Sequence, residues 1–148
     1  MGHTVYSVYE HIVFSTKNRV QLIDDAIQRE VFSYLGASIN GQGCKCLIAG
    51  GHREHVHLLV LKSSILLTDD LVKEIKRTSS IWMKTKGLAE FNWQSGYGAF
   101  SVSYSNIEEV RRYILNQGQH HQNLTWEQEY RKFLEKNGVD FDERYFLD

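Results

Sequence analysis

HREHVHLLV, residues 52–60, is an apolar run that carries two histidines, His55 and His57, on either side of a valine. Read as a strand, it points successive side chains to opposite faces, so both imidazoles project from the same face. Their α-carbons then lie about 6.6 Å apart. Two neutral imidazoles so placed can hold a divalent metal when a third ligand arrives from elsewhere. Alone, the H-x-H spacing is also what ordinary strand histidines show, so the rest of the chain has to supply the missing ligand.

Working outward, a second short apolar run at 44–50 precedes Gly50-Gly51, and the pair predicts a hairpin or tight strand connection into 54–61. The β-branched and aromatic stretch 4–14, TVYSVYEHIVF, predicts a first strand. After it, Ile27, Val31, Leu35 and Ile39 recur at helical spacing from Asp24 and stop near Gly41 and Gly43. Thr68 is placed to cap a second helix that runs to about Lys86, with Gly87 just beyond its end. Residues 98–104, GAFSVSY, predict a fourth strand, and Asn106 is placed to cap a third helix that runs up to Gly118. A last helix is expected from Thr125 to Lys136. The order β-α-β-β-α-β followed by helices is the ferredoxin-like (RRM-like) α+β pattern, an antiparallel sheet with helices on one face and the other face left for a site.

The chain has 148 residues, enough for a single domain over residues 1–148. Its 17 basic against 18 acidic side chains argue against coating nucleic acid through bulk charge, though not against local basic faces. No apolar run approaches the ~20 residues of a membrane span, and the start has no signal-peptide pattern, so a cytoplasmic location is expected. Cys44 and Cys46, two apart on a strand, are poorly placed to bond to each other.

Tyr113 and Gln117 stand four apart in the third predicted helix, one turn from each other on one face. Gln117 offers a neutral oxygen as third ligand and Tyr113 a phenol nucleophile. Two imidazoles and an amide oxygen suit an oxygen-seeking ion such as Mg²⁺ or Mn²⁺ that polarises a phosphodiester for attack by the tyrosine.

Several motifs together resemble the HUH-type single-tyrosine transposases of the smallest bacterial insertion sequences, the IS200-like transposases. They are HIVFSTKNR near the start, REHVHLLV, FNWQSGYGAFSVS, VRRYILNQ with the histidine pair downstream, and the tail FLEKNGVDFDERYF. The histidine-bulky-histidine motif is His55, Val56 and His57, and the tyrosine-helix pair is Tyr113 and Gln117. The resemblance implies an enzyme that binds hairpins near the ends of its element and nicks single-stranded DNA beside them. Tyr113 becomes linked to the 5′-phosphate, and the freed 3′-hydroxyl later rejoins strands. It also implies a homodimer whose tyrosine helix completes the partner's site.

On the second helix Lys73, Lys76, Arg77 and Lys84 fall on one side, a plausible phosphate-contact face. His52, His120 and His121 read as loop or surface histidines and are left out of the site. An RRM-like nucleic-acid-binding module without catalysis is the alternative, with Gly96-Tyr97-Gly98-Ala99-Phe100 as its aromatic segment. A further alternative is another HUH nuclease, a replication initiator or a domesticated transposase.

Overall fold

A computed structural model describes residues 2–148. Four strands form one antiparallel sheet: β1 (Tyr9–Ser15), β2 (Lys45–Gly51), β3 (His55–Leu61) and β4 (Gly98–Val102), in the order β2-β3-β1-β4. With α1 (Gln28–Gly41) and α2 (Thr68–Thr85) between them, this is the expected ferredoxin-like α+β arrangement. The register sets Ser15 opposite His55, Val13 opposite His57 and His11 opposite Leu59, so these residues share one face of the sheet. Ile12, Phe14, Val56, Leu58 and Val60 alternate to the other face. There they pack with Val31, Leu35 and Ile39 of α1 and Leu71, Ile75 and Met83 of α2.

The face expected to be left for a site is roofed by the C-terminal helices. Val13 and Phe100 pack against Trp126, Tyr130 and Leu134 of α5 (Trp126–Lys136), and Leu59 packs against Ile107 and Ile114 of α3 (Ile107–Leu115). A one-turn helix, α4 (Gln117–His120), connects the two. The predicted third helix is thus broken at Asn116, whose φ −95°, ψ 17° leaves the helical region.

Local signals held where no tertiary partner competed. Gly87 lies at φ +91° past α2, and its N–H donates to Lys84 O while that of Leu88 donates to Met83 O, the glycine-ended helix closure. Thr125 caps α5 through a reciprocal box with Gln128. Thr68 does not cap α2, because its hydroxyl donates instead to Glu10 Oε1 at 2.5 Å, and Asn106 makes no side-chain cap to α3. The first strand begins at Tyr9 rather than residue 4.

Gly50 and Gly51 are not the hairpin turn. Both lie within β2, paired to His57 and Val56, and the chain turns over 52–54. Gly50 is required by a close approach: a Cβ there would lie 2.7 Å from Ile114 Cγ2 and 3.1 Å from Ile114 O. The absent side chain lets α3 settle onto the sheet beside His57.

Candidate active site

The strand alternation puts His55 and His57 side by side on the roofed face, and both are fully buried. His55 Nδ1 lies 2.6 Å from Glu54 Oε1. A carboxylate only accepts, so that nitrogen carries a proton and Nε2 faces the site. His57 Nδ1 lies 2.7 Å from Nε2 of His11, a buried histidine on β1. Each strand histidine is therefore held from behind by a second group, which fixes the direction of its Nε2.

Gln117, at the start of α4, brings Oε1 to 2.8 Å from His55 Nε2. The structure thus joins His55 to Gln117 as the sequence predicts, and Tyr113 reaches the same site from the last turn of α3. What joins Tyr113 to the histidines is a residue the sequence reading omits. Glu129 of α5 is 1% exposed, and its Oε2 accepts from the Tyr113 hydroxyl and, at 2.9 Å, from Gln117 Nε2. Its Oε1 lies 3.2 Å from His57 Nε2, 3.2 Å from His55 Nε2 and 3.0 Å from His121 Nε2. His121, set aside as a loop histidine, is part-buried as a residue but has a side chain only 3% exposed, which also reaches Gln117 Oε1 at 3.1 Å. Glu129 had one legible signal: it falls in the stripe Trp126, Glu129, Tyr130, Phe133, Leu134, a carboxylate on the apolar face of an amphipathic helix.

The electrostatics follow from burial around one carboxylate. At Glu129 burial alone would push the carboxyl up, but hydrogen bonds from His121, His55 and His57 outweigh it and hold the group well below the usual carboxylate range. Burial lowers His57 to about 4. It would lower His55 too, but Glu129 and Glu54 reverse the sign and raise it. Burial and the Glu129 charge push the Tyr113 phenol well above its ordinary value. A raised phenol against a lowered carboxylate makes proton transfer between them steeply uphill, so this hydrogen bond holds Tyr113 neutral and oriented.

The donor set fits a cation. With Nδ1 of His55 protonated toward Glu54, its Nε2 and Gln117 Oε1 meet at 2.8 Å as two acceptors, unless the imidazole carries a second proton or a positive ion joins them. Ligand atoms of His55, His121 and Glu129 all lie within 4.8 Å of one another, and Gln117 Oε1 and His57 Nε2 face the same point.

The cations predicted for DNA do not gather here. They sit on α2, across the sheet from Tyr113. Lys76 is half-buried, its ammonium donating to the carbonyls of Gln94 (2.9 Å) and Gly96 (2.6 Å) and lying 4.9 Å from the Phe14 ring centre. Arg77 pairs with Glu74, while Lys73 and Lys84 are exposed. The cleft of about 430 Å³ that opens onto Tyr113 is lined instead by His120, Lys132 and Lys136. Phe100 is buried against Phe133, ring centres 5.4 Å apart, and so is not free to stack a base as an RRM-like module requires. Within the chain, the Tyr113 and His57 ring centres lie 5.8 Å apart.

Residues 4–117 match the family model described as "Transposase IS200 like". Of solved structures, a candidate transposase from Deinococcus radiodurans R1 superposes with TM-score 0.62 at 23% identity, covering 79% of this chain and 96% of that one. A REP-associated tyrosine transposase, solved bound to a REP hairpin, superposes with TM-score 0.55 at 14% identity, covering 81% of this chain and 72% of that one. At these identities the superpositions speak for the fold alone. A search of curated proteins gives no match.

Proposed function

The chain belongs to the IS200-like transposase family, and on that premise we propose that it is a metal-dependent, single-stranded DNA transposase with Tyr113 as its nucleophile. The observation that carries the reading is the meeting of Tyr113, His55, His57 and Gln117 on one buried carboxylate, Glu129. In the reaction the Tyr113 oxygen bonds to a DNA phosphorus while the bond to the 3′ oxygen breaks. The phenol proton leaves through a neighbouring acceptor, and the departing oxygen gains one as a 3′-hydroxyl, so no co-reactant is consumed. His55, His57 and Gln117 would hold a divalent ion, with His121 and, until a substrate phosphate takes its place, Glu129 as additional donors. Of Mg²⁺ and Mn²⁺, this imidazole-containing set favours Mn²⁺. Such an ion supplies Lewis acidity to the phosphodiester. Glu54 and His11 orient the strand histidines, and α5 excludes water.

The DNA substrate would be a strand with hairpin ends, in keeping with the REP hairpin held by the structural relative. Lys73, Arg77 and Lys84 are proposed as its phosphate contacts away from the nucleophile, and Lys132 and Lys136 beside it. The reading includes a homodimer in the cytoplasm. No helix among the described residues is long and apolar enough to cross a membrane.

The test is incubation of the protein with Mn²⁺ and hairpin-bearing single-stranded DNA from the ends of its element. A covalent adduct on a denaturing gel is expected, lost in Tyr113→Phe while hairpin binding persists. An undiminished adduct in that variant refutes the assignment. Mixing Tyr113→Phe with His55→Ala separates the two arrangements: partial rescue is expected if the tyrosine acts across a dimer, as the family resemblance implies, and no rescue would show that it acts within its own chain.

A further inference from the structure

Three imidazole nitrogens, not two, converge on one atom beside Tyr113. Nε2 of His55, His57 and His121 lie 3.2, 3.2 and 3.0 Å from Oε1 of Glu129. Two of these rings belong to the strand motif. The third stands outside it, four residues after Gln117 and beyond the stretch 4–117 that matches the family. Its position is nevertheless built into the fold. Although α3 ends at Leu115, α4 resumes the turn, and the His121 N–H donates to Gln117 O at 3.0 Å. Tyr113, Gln117 and His121 thus continue one four-residue spacing, which keeps them on one side of the chain. Two rings set the plane of His121: His52 stacks on it at 5.3 Å and 14°, and His55 meets it at 4.5 Å and 60°.

The oxygens around these nitrogens call for a cation. Gln117 Nε2 donates to Glu129 Oε2 at 2.9 Å, which fixes the amide and leaves its Oε1 as an acceptor 2.8 Å from His55 Nε2 and 3.1 Å from His121 Nε2. Protons on His57 and His121 alone would leave the His55 lone pair against that oxygen, because the His55 proton lies on Nδ1 toward Glu54. One divalent ion pairs all three nitrogens and both oxygens. His121 also lines a cleft of about 490 Å³ together with His52 and Glu54, which gives an ion a way in.

The number of imidazoles decides the class of ion. Two imidazoles and an amide oxygen leave room for water and can serve Mg²⁺ or Mn²⁺. Three imidazoles and a carboxylate suit Mg²⁺ poorly, since it takes oxygen ligands and holds its waters. Imidazole nitrogen favours Co²⁺ and Zn²⁺ over Mn²⁺, and three-histidine sets are a known zinc arrangement. We propose that His121 is a full ligand beside His55 and His57, forming a three-imidazole centre that selects transition-metal ions over Mg²⁺. The proposal rests on the metal-dependent reading for the presence of an ion, and it adds the class of that ion and the residue that sets it.

The test needs neither DNA nor cleavage. Intact, chelator-stripped protein carrying ¹⁵N-labelled histidine is titrated with Zn²⁺, and the ring nitrogens of its seven histidines are followed by NMR. Three rings are expected to take a metal-bound shift at Nε2. One of the three should be missing in His121→Phe, which keeps a flat ring beside His52. By calorimetry the same variant should lose on the order of 100-fold or more in Zn²⁺ affinity, at or beyond the upper end for a residue that only supports a ligand. Its Mg²⁺ binding, measured in parallel, should stay as in the wild type. Two shifted rings in the wild type, or no zinc binding at all, overturns the proposal. So does a His121→Phe protein whose Zn²⁺ affinity is unchanged or falls in step with its Mg²⁺ affinity. If that variant does not fold, the ring count in the wild type decides alone. Three zinc-bound rings in a protein that forms no covalent adduct would keep this centre and remove the transposase reading, whereas adduct formation with His121 unshifted would do the reverse.

Discussion

Gly50→Ala tests how the tyrosine helix is placed. The added methyl would sit 2.7 Å from Ile114 Cγ2, where carbon atoms prefer about 3.5–4.0 Å, an overlap of roughly 1 Å. Rotating Ile114 does not relieve it. A helical isoleucine has one strongly preferred rotamer, and the Ile114 carbonyl, 3.1 Å from the new carbon, is backbone. The helix must retreat, carrying Tyr113 with it. Overpacking of this kind costs about 1–3 kcal/mol, which for a domain of this size lowers Tm by about 3–10 °C. A displacement near 1 Å at the proposed nucleophile costs on the order of 100-fold in rate. Gly36→Ala is the internal control of opposite sign. That glycine lies inside α1, and its Cβ would meet Cys46 Sγ at an ordinary 3.7 Å, so gaining helix propensity should stabilise by up to about 1 kcal/mol. Thermal melting and adduct formation are measured on both. Gly50→Ala with an unchanged Tm and a wild-type adduct rate would refute the close-packing account of Tyr113.

Three further outcomes are expected. His55→Ala and His57→Ala each abolish nicking and Gln117→Ala weakens it less, since water can replace an amide oxygen; full cleavage in excess chelator would refute metal dependence. Because ligating imidazoles must be deprotonated, the rise in Tm produced by Mn²⁺ should shrink from pH 8 to pH 6, and a constant or growing rise would refute histidine ligation. Lys76→Met should lower stability by about 1–3 kcal/mol, having lost its ammonium bonds to the 94 and 96 carbonyls, yet leave the salt dependence of DNA binding intact, whereas Lys73→Ala should reduce that slope by about one charge without changing Tm.

Much of the fold was legible because it rests on period-two and period-3.6 patterns: HVHLLV reads as a strand whichever side chains later cover it. The paired histidines and the Tyr113–Gln117 spacing were legible for the same reason, since local geometry alone puts each pair on one face. The misreadings share another cause. Gly50-Gly51 has two meanings, a turn or a close approach, and only the distant Ile114 decides between them. Thr68 has the right chemistry for a cap but finds Glu10 nearer. Lys76 looks like a free cation on a helical face until the carbonyls of 94–96 fold over it. His121 lies in a turn, and nothing local says that α5 will bury it.

Glu129 shows what the missing part of the reading amounts to. The family match ends at Gln117, and the residues after it supply His121, Trp126 and Glu129. In the resting structure one carboxylate oxygen faces the histidine nitrogens and the other accepts from Tyr113. If Tyr113 attacks a phosphodiester, an anionic oxygen of that group must come between the same partners. Glu129 therefore occupies, with the same charge, ground that the substrate needs. Removing it without replacement would leave several buried donors unpaired, each costing about 1–3 kcal/mol. Exchange for a phosphate oxygen re-pairs them.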